Sequence, residues 1–205
     1  MSGPAAGLRA EFGGIDIYLF DQLLKGRFDG RSTILDAGCG GGRNLVFLLR
    51  NGFHVFGVDR SEGAVTEARA LAGELAPHLP ADNFRVAEVD ALPFEAASMD
   101  ATISSAVLHF ARDEAHFHRM LDEMWRVLRP GGLFFARLAS TIGIENAVRP
   151  LGGRTFALPD GSRRFLVDVD LLERAANRLG AELLDPIKTT VVHGKRAMTT
   201  WVVRG

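Results

Sequence analysis

Apolar residues recur along this chain in two patterns that alternate with one another. Short apolar runs bounded by glycine, proline or acidic residues are typical of strands buried in a parallel sheet. Amphipathic stretches with apolar residues three and four positions apart are typical of helices packed on such a sheet. The strands predicted in this way are 32–36, 53–58, 84–89, 100–106 and 133–138.

Helices are predicted between these strands and at both ends of the pattern. Ser61 and Asp113 stand where N-caps are expected, and Gly180 stands where the last helix should stop. The predicted helices are an N-terminal one within 15–27 and those at 44–50, 62–75, 114–128 and 169–179.

The alternation of strands and helices predicts an α/β protein with a sheet covered on both faces. Two β-rich runs, 182–192 and 196–203, meet at residues 193–195 and predict a C-terminal antiparallel hairpin. We therefore expect a Rossmann-like, doubly wound, seven-stranded sheet, mostly parallel, in a single domain spanning 1–205. The ligand of such a sheet lies beyond the carboxyl ends of the strands, where the strand order reverses.

A glycine-rich segment, Asp36-Ala-Gly-Cys-Gly-Gly-Gly42, joins the first predicted strand to the next helix. Glycines there permit positive φ angles and let a ligand contact bare backbone. A dinucleotide fingerprint has glycines at its first, third and sixth positions. Counted from Gly38, the sixth position is Arg43, and Asp36 would repel a pyrophosphate. The segment therefore favours a zwitterionic, sulfonium-bearing ligand over a diphosphate.

Acidic residues end the first three predicted strands, at Asp36, Asp59 and Asp90. A carboxylate at the second strand end can accept hydrogen bonds from both hydroxyls of a ribose. Asp90 can accept from an adenine amino group while the amide of Ala91 meets a ring nitrogen. Each acid has an alternative interpretation as a helix-start or loop residue, but three at successive strand ends are more specific than any one of them.

With these motifs, the chain resembles the class I S-adenosylmethionine-dependent methyltransferases, in the broad group of small-molecule enzymes that includes the thiopurine and tellurite types. The resemblance covers roughly residues 15–140. The motifs that support it are Ile34-Leu-Asp-Ala-Gly-Cys-Gly-Gly-Gly42, Gly57-Val-Asp59, Asp90-Ala-Leu-Pro-Phe94 and Leu128-Arg-Pro-Gly-Gly132.

The resemblance implies the cofactor S-adenosylmethionine, with S-adenosylhomocysteine as its product. It places the glycine loop against the methionine part, Asp59 at the ribose and Asp90 at the adenine. Backbone after the fourth strand is expected near the sulfonium. The cofactor-binding residues expected on this basis are Asp36, Ala37, Gly38, Cys39, Gly40, Asp59, Arg60, Asp90, Ala91, Ser104 and Ser105.

Histidines and the single cysteine are the remaining candidates for chemistry. His109 follows the fourth strand, where a methyl group would emerge, so it is the candidate catalytic residue; the alternative is that it anchors the loop. His116 and His118 are expected at the surface, and no metal site is predicted. Cys39 is expected to be selected for its small size.

Residues 141–166 fit neither apolar pattern and are expected to form an irregular insertion that covers the substrate. Its arginines would favour an anionic or polar acceptor, and the alternative is a solvated loop. The N-terminal helix is expected to cover the cofactor from the other side, or simply to pack on the core. The arginines of the insertion are Arg149, Arg154, Arg163 and Arg164.

The amino-acid composition limits the kinds of partner that this chain is expected to bind. The net charge of −1 over 205 residues provides no basic field for nucleic acid or an anionic membrane. A single cysteine, no signal-peptide pattern and no long apolar stretch predict a cytoplasmic protein without a membrane partner. It is expected to act as a monomer or homodimer on a small molecule.

Two other functions stay open at this point. A nicotinamide-dependent oxidoreductase is disfavoured by Arg43 and Asp36 in the glycine loop. A non-catalytic S-adenosylmethionine-binding partner of another subunit would bind the cofactor and show no turnover. The sequence does not identify the acceptor atom.

Overall fold

The computed structural model describes residues 4–205. The helices are α1 (Pro4–Phe12), α2 (Ile17–Leu24), α3 (Val46–Arg50), α4 (Glu62–Leu75), α5 (Glu114–Val127) and α6 (Val169–Leu179). The strands are β1 (Thr33–Ala37), β2 (His54–Asp59), β3 (Phe84–Val86), β4 (Met99–Ser105), β5 (Leu128–Ala139), β6 (Arg149–Gly152), β7 (Thr155–Ala157), β8 (Arg163–Phe165), β9 (Glu182–Leu183), β10 (Lys188–Val192) and β11 (Arg196–Arg204).

The main sheet has the strand order β10-β11-β5-β4-β1-β2-β3. The strands from β3 to β5 in this order are parallel, and β11 runs antiparallel to both β5 and β10. The predicted fold class, a mostly parallel sheet with a C-terminal hairpin, is confirmed. The chain winds outward in both directions from β1 and β4, so the order reverses between these two strands. That reversal point is where a ligand crevice is expected.

Alternating side chains of the strands fill a separate apolar layer on each face of the sheet. In β5, Phe134, Ala136 and Leu138 pack with α5 and α6 on one face, whereas Leu133 and Phe135 pack with the helices of the other face. The second layer includes residues of α2, α3 and α4. A parallel strand that is buried on both faces has a continuous run of apolar residues, and this run made the strand predictable from the sequence.

Polar caps set the starts of the helices. The carboxylate of Asp113 accepts from the amide of His116 at 2.6 Å, and that of Asp168 accepts from the amide of Leu171 at 2.8 Å. Gly180 ends α6 in the left-handed conformation, at φ 65°. Among the helices of residues 4–205, none has the length and apolar character needed to cross a membrane.

The structure differs from the predicted elements at both ends of the chain. The helix predicted within 15–27 is Ile17–Leu24, and α1 precedes it without having been predicted. The strand predicted over 182–192 is broken into β9 and β10, because Pro186 lies between them and has no N–H for a sheet ladder. The short β9 brings the main sheet to eight strands.

The insertion at 141–166 is regular, so the expectation of an irregular segment was wrong. Three short strands, β6, β7 and β8, form an antiparallel sheet of their own. Leu158, Leu166 and Phe156 of this region pack with Ala139 and Met198 at the top of the main sheet. The insertion is therefore a small, packed subdomain above the carboxyl end of β5.

Two glycine-to-alanine substitutions should have opposite effects on stability. Gly180→Ala places a side chain at positive φ and should lower the free energy of unfolding by about 1 kcal/mol. Gly73→Ala, in an open position inside α4, should raise it by roughly 0.5–1 kcal/mol, because alanine loses less backbone entropy in a helix. Urea denaturation of both variants checks this. A loss of stability in Gly73→Ala would contradict the helical assignment there.

Candidate active site

The loop after β1 is bound tightly to the end of β2. The amides of Gly38 and Cys39 both donate to the carbonyl oxygen of Val58, at 2.8 and 2.9 Å. Gly38 has φ +86°, and a Cβ at this position would collide with Cγ2 of Val107. This position therefore requires glycine on two grounds, conformation and space.

Asp59 joins the glycine loop to the start of α4. Its Oδ2 accepts from the amide of Gly40 at 3.0 Å, and its Oδ1 accepts from the amide of Ser61 at 2.9 Å. Each carboxylate oxygen has a second acceptor direction, so both can receive a further donor. Asp59 also lines the cleft described below. A pair of adjacent hydroxyl groups, as on a ribose, matches this arrangement.

Asp36 is a buried carboxyl group without a partner. Its side chain is 0% exposed, and neither oxygen has a hydrogen-bond partner in residues 4–205. Burial raises the pKa of Asp36 to about 7. The charge of Arg43 and the side chain of Asn44 oppose this rise, and the charge of Asp59 adds to it. Buried polar groups in proteins nearly always have partners. The carboxyl group therefore fits a cationic donor such as the amino group of a bound amino acid.

Asp90 is held by a histidine that the sequence analysis had placed at the surface. His116 is only 6% exposed, and its Nε2 lies 3.1 Å from Oδ2 of Asp90. The Nδ1 atom of His116 accepts from the amide of Arg112 at 3.0 Å, so Nε2 bears the proton and donates to Asp90. The surface prediction was wrong for His116 because α5 turns this position toward the cleft.

The amide of Ala91 donates to the carbonyl of Glu88 at 3.1 Å. It therefore forms a turn in this structure, and its contact with an adenine ring nitrogen stays a prediction. The segment that instead faces the cleft is 87–89, which was predicted as part of β3 and lies beyond its last residue, Val86.

The end of β4 provides the opposite wall of the site. Ser104 is buried and its hydroxyl has no partner in the described chain, while the hydroxyl of Ser105 accepts from Arg43 at 3.3 Å. Ala106 follows with φ +65°, a conformation that costs energy for a residue with a Cβ. Backbone strain of this kind concentrates at functional sites.

These strand ends enclose a cleft of about 370 Å³. Of the predicted cofactor-binding residues, three lie in its wall: Gly38, Asp59 and Arg60. The others do not line the cleft, and they are Asp36, Ala37, Cys39, Gly40, Asp90, Ala91, Ser104 and Ser105. The sequence analysis missed several residues of the cleft wall because they belong to no motif. Only their position after a strand or on α5 could have indicated that they line the cleft. The missed residues are Ala87, Glu88, Val89, Phe110, Arg112, His116 and Met120, whereas Ala106 and Val107 belong to the backbone that was expected at the site after the fourth strand.

His109, the candidate catalytic residue, is 6% exposed and lies beside the cleft. Its Nδ1 accepts from the amide of Ala139 at 3.3 Å, which links the turn after β4 to the end of β5. Burial, together with the charges of Arg164 and Arg196, lowers the pKa of His109 to about 4. The ring is therefore neutral near pH 7 and anchors the turn, and a catalytic role stays a prediction.

The arginines of the insertion have different environments. Arg154 forms ion pairs with Glu114 at 3.3 Å and Asp168 at 2.8 Å, so it fastens the insertion to α5 and α6. The guanidinium of Arg164 lies 4.9 Å from the ring centre of Phe110, at the cleft. Arg149 and Arg163 are exposed. Arg164 is thus the arginine of this group that reaches the site.

The N-terminal segment is fixed to the same region by Asp16. This buried carboxylate caps α2 and forms ion pairs with Arg137 at 2.6 Å and Arg43 at 3.7 Å. The amide of Asp16 donates to the side chain of Asn44 at 3.0 Å. The segment therefore packs against the glycine loop. In residues 4–205 no three His, Cys, Asp or Glu side chains are grouped to hold a metal ion.

The raised pKa of Asp36 predicts a pH-dependent cost of folding. The folded chain prefers the protonated carboxyl, whereas the unfolded chain ionises near the ordinary value of 3.8. Stability contributed by the neutral group is therefore lost as pH rises from about 4 to about 7. Asp36→Asn should gain stability relative to the parent over this range, by urea denaturation near pH 4.5 and pH 8. An equal pH dependence for both proteins would contradict it.

Comparisons with known proteins place the chain in a family. Residues 35–136 match the family model described as a methyltransferase domain. A probable S-adenosylmethionine-dependent methyltransferase of Mycolicibacterium smegmatis is 32% identical over 137 residues, which are 65% of this chain and 49% of the relative. The chain spans about half the length of the curated relatives it matches.

Solved structures show the same fold. A methyltransferase from Methanosarcina mazei superposes with a TM-score of 0.71 at 20% identity, covering 88% of this chain and 96% of the other. The 1,6-didemethyltoxoflavin-N1-methyltransferase of Burkholderia thailandensis, solved with that compound and S-adenosylhomocysteine, gives 0.66 at 21% identity, covering 100% and 91%. The sequence matches and the shared fold show that this chain belongs to the class I S-adenosylmethionine-dependent methyltransferases, whose methyl donor is S-adenosylmethionine.

Proposed function

We propose that this chain transfers a methyl group from S-adenosylmethionine to a small-molecule acceptor by in-line displacement. The proposal rests on the cleft at the strand ends, where Gly38, Asp59 and Ala106 come together from three different strands. Family membership supports the reaction type. The acceptor, which the family does not specify, is inferred from the surroundings of the cleft.

The residues in the wall of the cleft and directly behind it suit the cofactor by their chemistry. Asp36 has two buried acceptor atoms without partners, which suit the amino group of the methionine part. Asp59 has acceptor capacity for the ribose hydroxyls, and Asp90, oriented by His116, has it for the adenine amino group. The glycine loop leaves room for the methionine part, since nothing lies within 4 Å of a Cβ built on Gly40.

Orientation of the two reactants is the main contribution we expect from the protein. S-adenosylmethionine supplies a methyl group already activated on a sulfonium, and alignment of well-oriented reactants contributes roughly 7–11 kcal/mol. A general base is needed only where the acceptor must lose a proton. His109 is poorly suited to that role, since its Nδ1 atom accepts from the amide of Ala139 and its Nε2 atom then carries the proton. In this proposal it positions the turn between β4 and β5.

A small acceptor is favoured because the insertion closes one side of the mouth of the cleft. Strand β8 of the insertion packs on the short helical turn Leu108–Phe110, which closes one side of the approach. A cleft narrowed in this way suits a small molecule better than a polymer, and the net charge of −1 agrees with this. The Burkholderia neighbour likewise holds a small heterocycle. Cytoplasmic location and a monomeric or dimeric state remain predictions.

Asp59→Ala should weaken S-adenosylmethionine binding tenfold to a hundredfold, because lost hydrogen bonds to two ribose hydroxyls cost on the order of 1–3 kcal/mol. Equilibrium dialysis with labelled cofactor measures the change. Asp82→Ala, an exposed acid beside the amino end of β3, is the matched control and should bind normally.

The specific contribution of the ribose can be separated from the loop contacts of Asp59. A 2′-deoxy analogue of the cofactor should bind more weakly than the parent compound to the unmodified chain. On Asp59→Ala the two compounds should differ much less, since the acceptor of that hydroxyl is gone. An undiminished difference would show that the ribose lies elsewhere.

Turnover tests the reaction itself. The purified chain is incubated with methyl-labelled S-adenosylmethionine and a panel of small acceptors carrying hydroxyl, amine, thiol or carboxylate groups. Labelled product that depends on the chain, and is reduced in Asp59→Ala, is the expected result. Cofactor binding without product from any acceptor class would favour the alternative of a non-catalytic binding partner.

A further inference from the structure

Phe110 presents an exposed aromatic face at the mouth of the cleft. Its ring is in the wall of the cleft, and the residue is 48% exposed. The guanidinium of Arg164 lies 4.9 Å from the ring centre, and that of Arg60 lies 5.9 Å from it. One cation beside the ring therefore comes from the residue after β2, and the other comes from the insertion. An exposed aromatic ring flanked by arginines is suited to a planar ligand with negative charge.

Arg164 and Arg196 bring positive charge to this place from two separate elements, β8 and the start of β11. Both charges act on His109 and on Asp160. Unlike Arg154, neither forms an ion pair in the part of the chain that the structure describes; Arg164 donates only to the backbone carbonyl of Arg163, at 2.8 Å. A guanidinium at the cleft mouth without an ion-pair partner among residues 4–205, as at Arg164, favours the binding of an anion.

Asp160 is the nearby acid, and the charges of both arginines act on its carboxylate, although no ion pair joins it to either one in the part of the chain that the structure describes. Asp160 is exposed, and its carboxylate accepts from the amide of Ser162 at 2.9 Å, within its own turn. His109 adds no charge, and because its Nδ1 atom accepts from Ala139, its Nε2 carries a proton that can be donated. Arg112, on the other side of the cleft, lies 3.9 Å from Asp90 and is directed to the cofactor half.

We propose that the methyl acceptor is a planar carboxylate, with its ring against Phe110 and its carboxylate on Arg164. The inference rests on the proposed function, since it assigns the acceptor half of the same site. The insertion sheet then determines acceptor specificity, because it supplies the arginine that recognises the charge. Its fixation by Arg154 keeps that arginine in place over Phe110.

Benzoate and benzamide are the probes, since they have nearly the same shape and differ in charge. Each is titrated into the chain saturated with S-adenosylhomocysteine, with binding followed by ligand-observed NMR. Benzoate should bind saturably and at least tenfold more tightly than benzamide. Arg164→Gln should weaken benzoate binding roughly tenfold and leave benzamide binding unchanged, and Arg164→Lys should restore part of the loss.

Arg163→Gln is the matched control, because Arg163 is the exposed neighbour on the same strand. It should bind benzoate as the parent does, and all three variants should bind S-adenosylhomocysteine normally, which shows that they are folded. Equal binding of the two probes, no saturable benzoate binding, or an unaffected Arg164→Gln would overturn the inference. Failure of S-adenosylhomocysteine itself to bind would instead overturn the proposed function.

Discussion

Three amides of the glycine loop hold it against the second strand: those of Gly38 and Cys39 donate to the carbonyl of Val58, and that of Gly40 donates to the carboxylate of Asp59. The rest of the site depends on this junction. It turns the chain sharply after β1, which brings the loop beside the end of β4, where Val107 occupies the space that a Cβ on Gly38 would need. It also fixes Asp59, since the carboxylate that would receive the ribose is part of the junction.

Charge is distributed in the site according to the two halves of the proposed reaction. Carboxyl groups lie at the strand ends within the cofactor half, and Asp36 among them is wholly buried and partly neutral near pH 7. Arginines lie toward the mouth, where Arg60 and Arg164 flank Phe110. A cofactor with a cationic amino group and an acceptor with an anionic group would each find the opposite charge. Electrostatic complementarity of this kind contributes more to specificity than to affinity.

The sequence was sufficient for the elements that the buried sheet requires and for the acids that follow them. The fourth strand and the last helix lie close to their predicted places because their apolar patterns reflect burial against the core. The strands of the insertion are three or four residues long and lie on a partly exposed surface. They are therefore too short to show an alternation of apolar and polar residues. His116 was misplaced for a related reason. Two histidines at one helix start look alike in sequence, and only the docking of α5 shows which one meets Asp90.

The central claim is that the cleft at the ends of β1, β2 and β4 is an S-adenosylmethionine site. Calorimetric titration of the purified chain with S-adenosylmethionine, S-adenosylhomocysteine and NADH tests it most directly. The account predicts saturable binding of both adenosyl compounds with a stoichiometry of about one and no binding of NADH. Binding of NADH alone, or no binding of either adenosyl compound to the folded chain, would contradict it.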